Sequence, residues 1–258
     1  MGKLLRTNTK LAKRCGRYHV AGLTFAPHRL SGIPVCPESS CGCRASCNGW
    51  WSGQRVTPQA RKRALADTMW FHQKPHKFRA QLDHDIWFHS HYCAKRHLIP
   101  LVRLNVASDL DWADTISNWP HVTFYDYTKV RSRFRDYLDG KLPSNYHLTY
   151  SISERSHMST VASYLRAGGN VAQVFDVDYY PSCGRIGELP TDVKIWGKRW
   201  PVVDGDKHDV RLPDTDGSGV VVGLRLKGTN AAKSRGRKSG FATAEVPRLN
   251  RGSIHTMT

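Results

Sequence analysis

Acidic residues are scarce in this chain: 21 Asp and Glu stand against 39 Lys and Arg in 258 residues, giving a net charge of +18. The shortage is concentrated at the two ends. Residues 1–20 hold six Lys/Arg and no acid, and residues 225–258 hold eight with one acid, Glu245, so the ends carry +13 of the +18. No apolar run approaches the roughly 18–20 residues of a membrane-spanning helix. The opening Met1-Gly2-Lys3-Leu4-Leu5-Arg6 lacks the apolar stretch of a secretory signal. These absences exclude a membrane partner and point to the cytoplasm, where thiols stay reduced. No segment repeats at a fixed period. The C-x2-C pairs of a usual zinc knuckle are missing too.

What the chain does have is a cluster of sulfur. Cys36, Cys41, Cys43 and Cys47, four of seven cysteines, fall within the segment Cys-Pro-Glu-Ser-Ser-Cys-Gly-Cys-Arg-Ala-Ser-Cys. Thiolates gathered on a Gly/Ser/Pro loop suit a soft metal centre. Cys41 and Cys43 are separated by one residue, which hinders both from binding one tetrahedral zinc. Three thiolates holding a cubane iron–sulfur cluster, with Cys36, Cys43 and Cys47 as the favoured trio, are stereochemically easier. Disulfides are the bland alternative, and an odd cysteine total argues against a closed set.

Hydrophobic periodicity divides the remainder. A first strand covers 20–26, and the Cys-rich loop follows it over 27–53. Thr57-Pro58 supplies a cap and a first-turn proline for a helix to Gln73. A second helix runs from His76 to about Arg96, with Phe78, Leu82, Ile86 and Cys93 on one face. Strands over 98–105, 121–127, 146–153 and 170–177 then alternate with helices over 112–119, 129–138 and 157–167. This rhythm predicts an α/β fold, a partial or irregular (βα) barrel of largely parallel strands. Residues 178–207 show no period and read as an insertion, with last strands over 210–212 and 220–226. The expected organisation is a basic N-terminal arm (1–19), one α/β domain (20–227) and a basic, partly mobile tail (228–258).

Parallel α/β folds bind ligands beyond the carboxyl ends of their strands. The residues expected there are Asn105, Ser108 and Asp109; Asp126 and Lys129; Ser151, Ser153 and Glu154; and Arg225 and Lys227. Asp126, Glu154 and Asp109 are the candidate proton-moving groups, and the others candidate substrate contacts, with Arg225 and Lys227 suited to phosphate. The basic ends, and Trp/Lys/Arg interleaving at 50–55 and 196–200, suit nucleic acid. His89 and Cys93 share a helix face, as do His84 and His91, but such spacing alone is a weak metal signal.

The Cys loop, Arg103-Leu104-Asn105…Ser108-Asp109, Phe124-Tyr125-Asp126-Tyr127-Thr128-Lys129, His147-Leu148-Thr149-Tyr150-Ser151…Ser153-Glu154 and Val221-Val222-Gly223-Leu224-Arg225-Leu226-Lys227-Gly228 resemble a group of uncharacterised phage-encoded proteins. A Cys loop followed by βα units also resembles the partial barrel of radical S-adenosylmethionine enzymes. The resemblances imply a host-cell cytoplasmic protein. They further imply a cluster enzyme acting on nucleotides or nucleic acid, and S-adenosylmethionine as a cofactor for which no Gly-Gly-Glu-type segment is present. The alternative is a non-enzymatic DNA- or RNA-binding protein with a structural zinc. A third reading is a carboxylate-rich site recruiting Mg²⁺.

Overall fold

The computed structural model describes residues 2–13, 15–51 and 57–243. Its centre is an eight-stranded sheet built on six parallel strands: β1 (Tyr18–Gly22), β2 (Ile99–Arg103), β3 (Thr123–Thr128), β4 (Tyr146–Ser151), β5 (Asn170–Phe175) and β10 (Val221–Arg225). These lie side by side in chain order, and β9 (Lys198–Asp204) and β8 (Asp192–Ile195) extend the sheet beyond β10. Only the β8–β9 pairing within it is antiparallel. A separate two-stranded ribbon pairs β6 (Tyr179–Tyr180) with β7 (Arg185–Ile186).

Strands that pair in chain order, each through a crossover of one hand, place their helices on one face. The core matches this. Phe78, Leu82 and Ile86 of α5 (Pro75–Ala94), Phe134 of α7 (Arg131–Leu138) and Val161 and Leu165 of α8 (Met158–Arg166) pack with Val102, Phe124, Leu148, Val171 and Val221 of the strands. Strand side chains alternate, so Leu101 and Tyr125 face the other way. They meet Leu11, Val106, Val210 and Leu212 in a second cluster. A buried ionic network joins that face: Arg103 Nη1 contacts both oxygens of Asp209 at 2.9 Å, and Tyr125 Oη donates to Asp209 at 2.8 Å. Burial opposes ionisation of Asp209, but Arg103 and Lys10 outweigh it and hold the carboxyl far below the usual range.

Several sequence expectations change here. The sheet is open among the described residues, with β1 and β8 as its edges, so no ring of strands closes. The segment 178–207 is not one irregular insertion. It contains β6 to β9, and β8 and β9 join through Trp196-Gly197, whose φ values of 49° and 81° form the positive-φ pair of a tight hairpin. Residues 210–212 are no strand, because Val210 and Leu212 cover the second cluster from a loop. Residues 1–19 are no separate arm. Leu4 and Leu5 are fully buried, and their amides donate to Asp85 of α5. Residues 228–243 also dock: α10 (Asn230–Lys238) is followed by Thr243, which bridges to Phe175. The expected mobile end beyond 243, like Gln54 and Arg55, lies outside the described residues.

Candidate functional site

The Cys segment leaves β1 at the carboxyl rim and folds into α1 (His28–Ser31), α2 (Cys41–Ala45) and α3 (Asn48–Trp51). Ser40 caps α2 by accepting from the Cys43 amide at 3.1 Å. Glu154, just past β4, grips the same helix end. Its carboxylate accepts from Ser40 Oγ at 2.7 Å and from the Gly42 amide at 2.6 Å. Burial would raise the Glu154 pKa, but these two bonds and Lys129 prevail and hold it low. At the other end of α2, Arg235 of α10 donates to the Ala45 carbonyl at 3.0 Å.

This tethering sets Cys43 and Cys47 near enough to Cys36 for each to act on it electrostatically. Cys36 lies 3.8 Å from the Ala107 carbonyl in the loop after β2. Burial pushes its thiol up to about 12, with further upward contributions from Asp109, Cys43 and Cys47 and a downward one from Lys129. Cys36, Cys43 and Cys47 are half-buried. Cys41 is exposed, with Arg44 at 3.6 Å from its sulfur. A tetrahedral zinc with bonds of about 2.3 Å would hold its sulfurs about 3.8 Å apart. Among the described residues no set of three clustered cysteines is drawn within 4.8 Å. A cubane, which puts a separate iron on each thiolate, spaces its sulfurs more widely.

The predicted rim residues do converge, but mostly on one another. Asp126 is 1% exposed and accepts from the Asn105 amide at 2.8 Å, Asn105 Nδ2 at 3.2 Å and Tyr146 Oη at 3.2 Å. Burial lifts its pKa to about 7 against the opposing pull of Arg103. Asn105 Oδ1 in turn accepts from Ser108 Oγ at 2.7 Å and the Leu110 amide at 2.9 Å. Asp109 accepts from the Lys129 amide and from Arg133, both at 2.7 Å. Arg225 and Lys227 are not open to a ligand. Arg225 pairs with Asp204 at 2.9 Å and Asp206 at 3.2 Å, and Lys227 pairs with Asp206 and lies over Tyr179. Sequence reasoning missed Asp204 and Asp206 because they sit in the segment without a period.

Lys129, Ser153 and, through Lys129, Ser151 mark the open part of the rim. Lys129 Nζ donates to Ser151 Oγ at 2.6 Å. Beside them a shallow cleft is lined by Glu38 of the Cys loop, Lys129, Arg131, Tyr150, Ser153, Arg155 and Ser156. It adjoins a hollow of about 350 Å³ between Glu38 and Arg131, Ser132 and Arg135 at the start of α7. That helix has no side-chain cap and no acid in its first turn, so its free amides add to the positive field. Four cations thus face one carboxylate next to Cys36.

The sequence profile of the family described as Gene product 88 matches residues 3–243. The chain belongs to this family. The match covers the sheet, the Cys segment and the cleft together, and agrees with the resemblance to a phage-type protein. Nothing among curated proteins or solved structures matches the chain. No helix among the described residues of this family member is long and apolar enough to cross a membrane.

Proposed function

We propose that this chain is an iron–sulfur protein of radical S-adenosylmethionine type that acts on a nucleotide or nucleic acid at its carboxyl rim. The observation that carries the reading is the placement of Cys36, Cys43 and Cys47. They follow the first strand of a one-way-wound parallel sheet, Cys43 and Cys47 each act on Cys36 electrostatically, and Glu38 of the same segment lines a cleft with four cations. The donor set fits: three half-buried thiols, with Cys41 exposed to solvent. The cluster, when bound, supplies electron or radical chemistry at its open iron.

The chain's own residues have definable tasks. Glu154 and Ser40 fix the start of α2, and with it the direction of Cys43. Glu154 and Asp109 are therefore positioning residues, one for the Cys helix and one for Lys129 and Arg133. Arg131, Arg135 and Arg155 take phosphate, and Lys129, held by Ser151, meets the substrate nearest Cys36. Asp126 fixes the β2–β3 junction through Asn105.

Anaerobic reconstitution with iron and sulfide tests this. The expected result is about four irons per chain, a broad visible absorption, and a reduced-state EPR signal lost in Cys36→Ser, Cys43→Ser or Cys47→Ser but kept in Cys41→Ser. A colourless, iron-free protein overturns it. One observation favours the non-enzymatic nucleic-acid binder instead: the carboxyls of Asp109, Asp126 and Glu154 are each bonded within the protein. Under that reading nucleic acid binds with unchanged affinity whether or not iron is present.

A further inference from the structure

Away from this rim, β1 and α5 bring together three donors that the proposed function does not use. His19 is the second residue of β1, near the end of the strand opposite the Cys segment. His89 and Cys93 lie one turn apart on the buried face of α5, 3% and 0% exposed. One nitrogen from each imidazole and the Cys93 sulfur lie within 4.8 Å of one another. Among the described residues no other three His, Cys, Asp or Glu side chains converge so closely.

We infer that His19, His89 and Cys93 form a metal site for a zinc-class divalent ion, clamping β1 to α5. Geometry supports it first. The Cys93 sulfur is 3.9 Å from His89 Nε2. The sulfur–nitrogen edge of a zinc tetrahedron, from bonds of about 2.3 and 2.05 Å, is about 3.6 Å, so closure needs only a few tenths of an ångström there. A second, independent observation is an orphan: His19 Nδ1 is shut off from solvent and has no hydrogen-bond partner. A buried lone pair without a donor is costly, and a metal ion resolves that cost. Third, His89 has the outer partner that ligating histidines use. Its ring contacts the backbone of both His19 and Leu101. Nε2 lies 3.1 Å from the His19 carbonyl. Ligation through Nε2 requires that nitrogen to carry no proton and to release the His19 carbonyl.

Binding displaces the thiol proton of Cys93 to solvent and forms one Zn–S and two Zn–N bonds. The fourth tetrahedral position falls to an exogenous ligand, and the half-buried edge of His19 gives it a way in. Lys3 and Arg96 act on His19 electrostatically and favour a small anion there, such as chloride or hydroxide. The role is structural: the site ties the first strand to a helix 70 residues on. This inference is independent of the cluster reading.

Cobalt(II) replaces zinc as a visible probe. Full-length protein with Cys36, Cys41, Cys43 and Cys47 all changed to Ser, and with an unaltered circular dichroism spectrum, is titrated with it. Expected are one bound equivalent, a thiolate-to-cobalt charge-transfer band and the intense visible bands of a tetrahedral ion. Adding Cys93→Ser removes the charge-transfer band. Adding His19→Gln weakens binding by more than about tenfold, the least that even an outer partner of a ligand costs. Absence of the band, or its survival in Cys93→Ser, overturns the site. If the four-Ser protein fails to fold, wild type answers through the rise in Tm on adding zinc. A rise that shrinks in both Cys93→Ala and His19→Gln supports the site, and a rise unchanged in either overturns it.

Discussion

At the scale of single residues, burial and hydrogen bonding decide the chemistry of each rim carboxylate. Asp126 and Glu154 end neighbouring strands, yet their acidities move in opposite directions. For Asp126 desolvation dominates and raises the folded-state pKa to about 7. The folded state then binds the proton more tightly than the unfolded chain. The stability gained is full at low pH and is lost as pH rises toward 7. Urea unfolding from pH 4 to 8 should therefore show wild type losing stability relative to Asp126→Asn across that interval, and a flat difference would contradict it. Gly42 is fixed by contact rather than by backbone freedom. A Cβ there would stand within 3 Å of Ser239 Oγ, Phe241 Cβ and Glu154 Oε1. Gly42→Ala should cost about 1–3 kcal/mol by overpacking, read as a lower Tm.

At the scale of elements, α2 is only five residues long and cannot persist on propensity. Its order comes from what holds its two ends, Ser40 with Glu154 at one and Arg235 at the other. Ser40→Ala and Glu154→Gln remove parts of the same clamp. Their effects on stability should be non-additive by about 0.5–3 kcal/mol in a double-mutant cycle, whereas strictly additive losses would mean the clamp is not one unit. The same logic holds on the opposite sheet face, where Arg103 and Asp209 are buried together. Asp209→Ala strands the Arg103 charge and should cost about 3–5 kcal/mol by denaturant unfolding.

At the scale of the whole molecule, part of the basic excess lies on segments that pack onto the fold, since Leu4 and Leu5 are buried and Arg235 of α10 reaches the Ala45 carbonyl. Arg225, Lys227, Arg133 and Arg103 are offset by buried or half-buried acids and add nothing to that excess. Four cations, Lys129, Arg131, Arg135 and Arg155, share the cleft with Glu38. If that cleft meets phosphates, the affinity for single-stranded nucleic acid falls with salt by a slope of about −0.7 per contact. Arg131→Ala with Arg155→Ala should reduce the magnitude of that slope by about 1.4 while leaving Tm unchanged, and an unaltered slope places the contact elsewhere. The cleft was only partly legible beforehand. Lys129 and Ser153 stood out by position after a strand, but Arg131 and Arg135 lie on a helix whose orientation the linear pattern does not contain.

The sequence by itself determined the α/β class, the alternation of parallel strands with helices and the place of the Cys segment after the first strand. These follow from local periodicity, helix punctuation and the one-handed crossover, all of which act over short stretches of chain. Tertiary structure alone decided which polar residues remain available. It joined Arg103 to Asp209, Glu154 to Gly42 and His19 to Cys93, residues 106, 112 and 74 positions apart. Partnership across such separations depends on which strand lies beside which and on the face each side chain takes. No local pattern of residues encodes that.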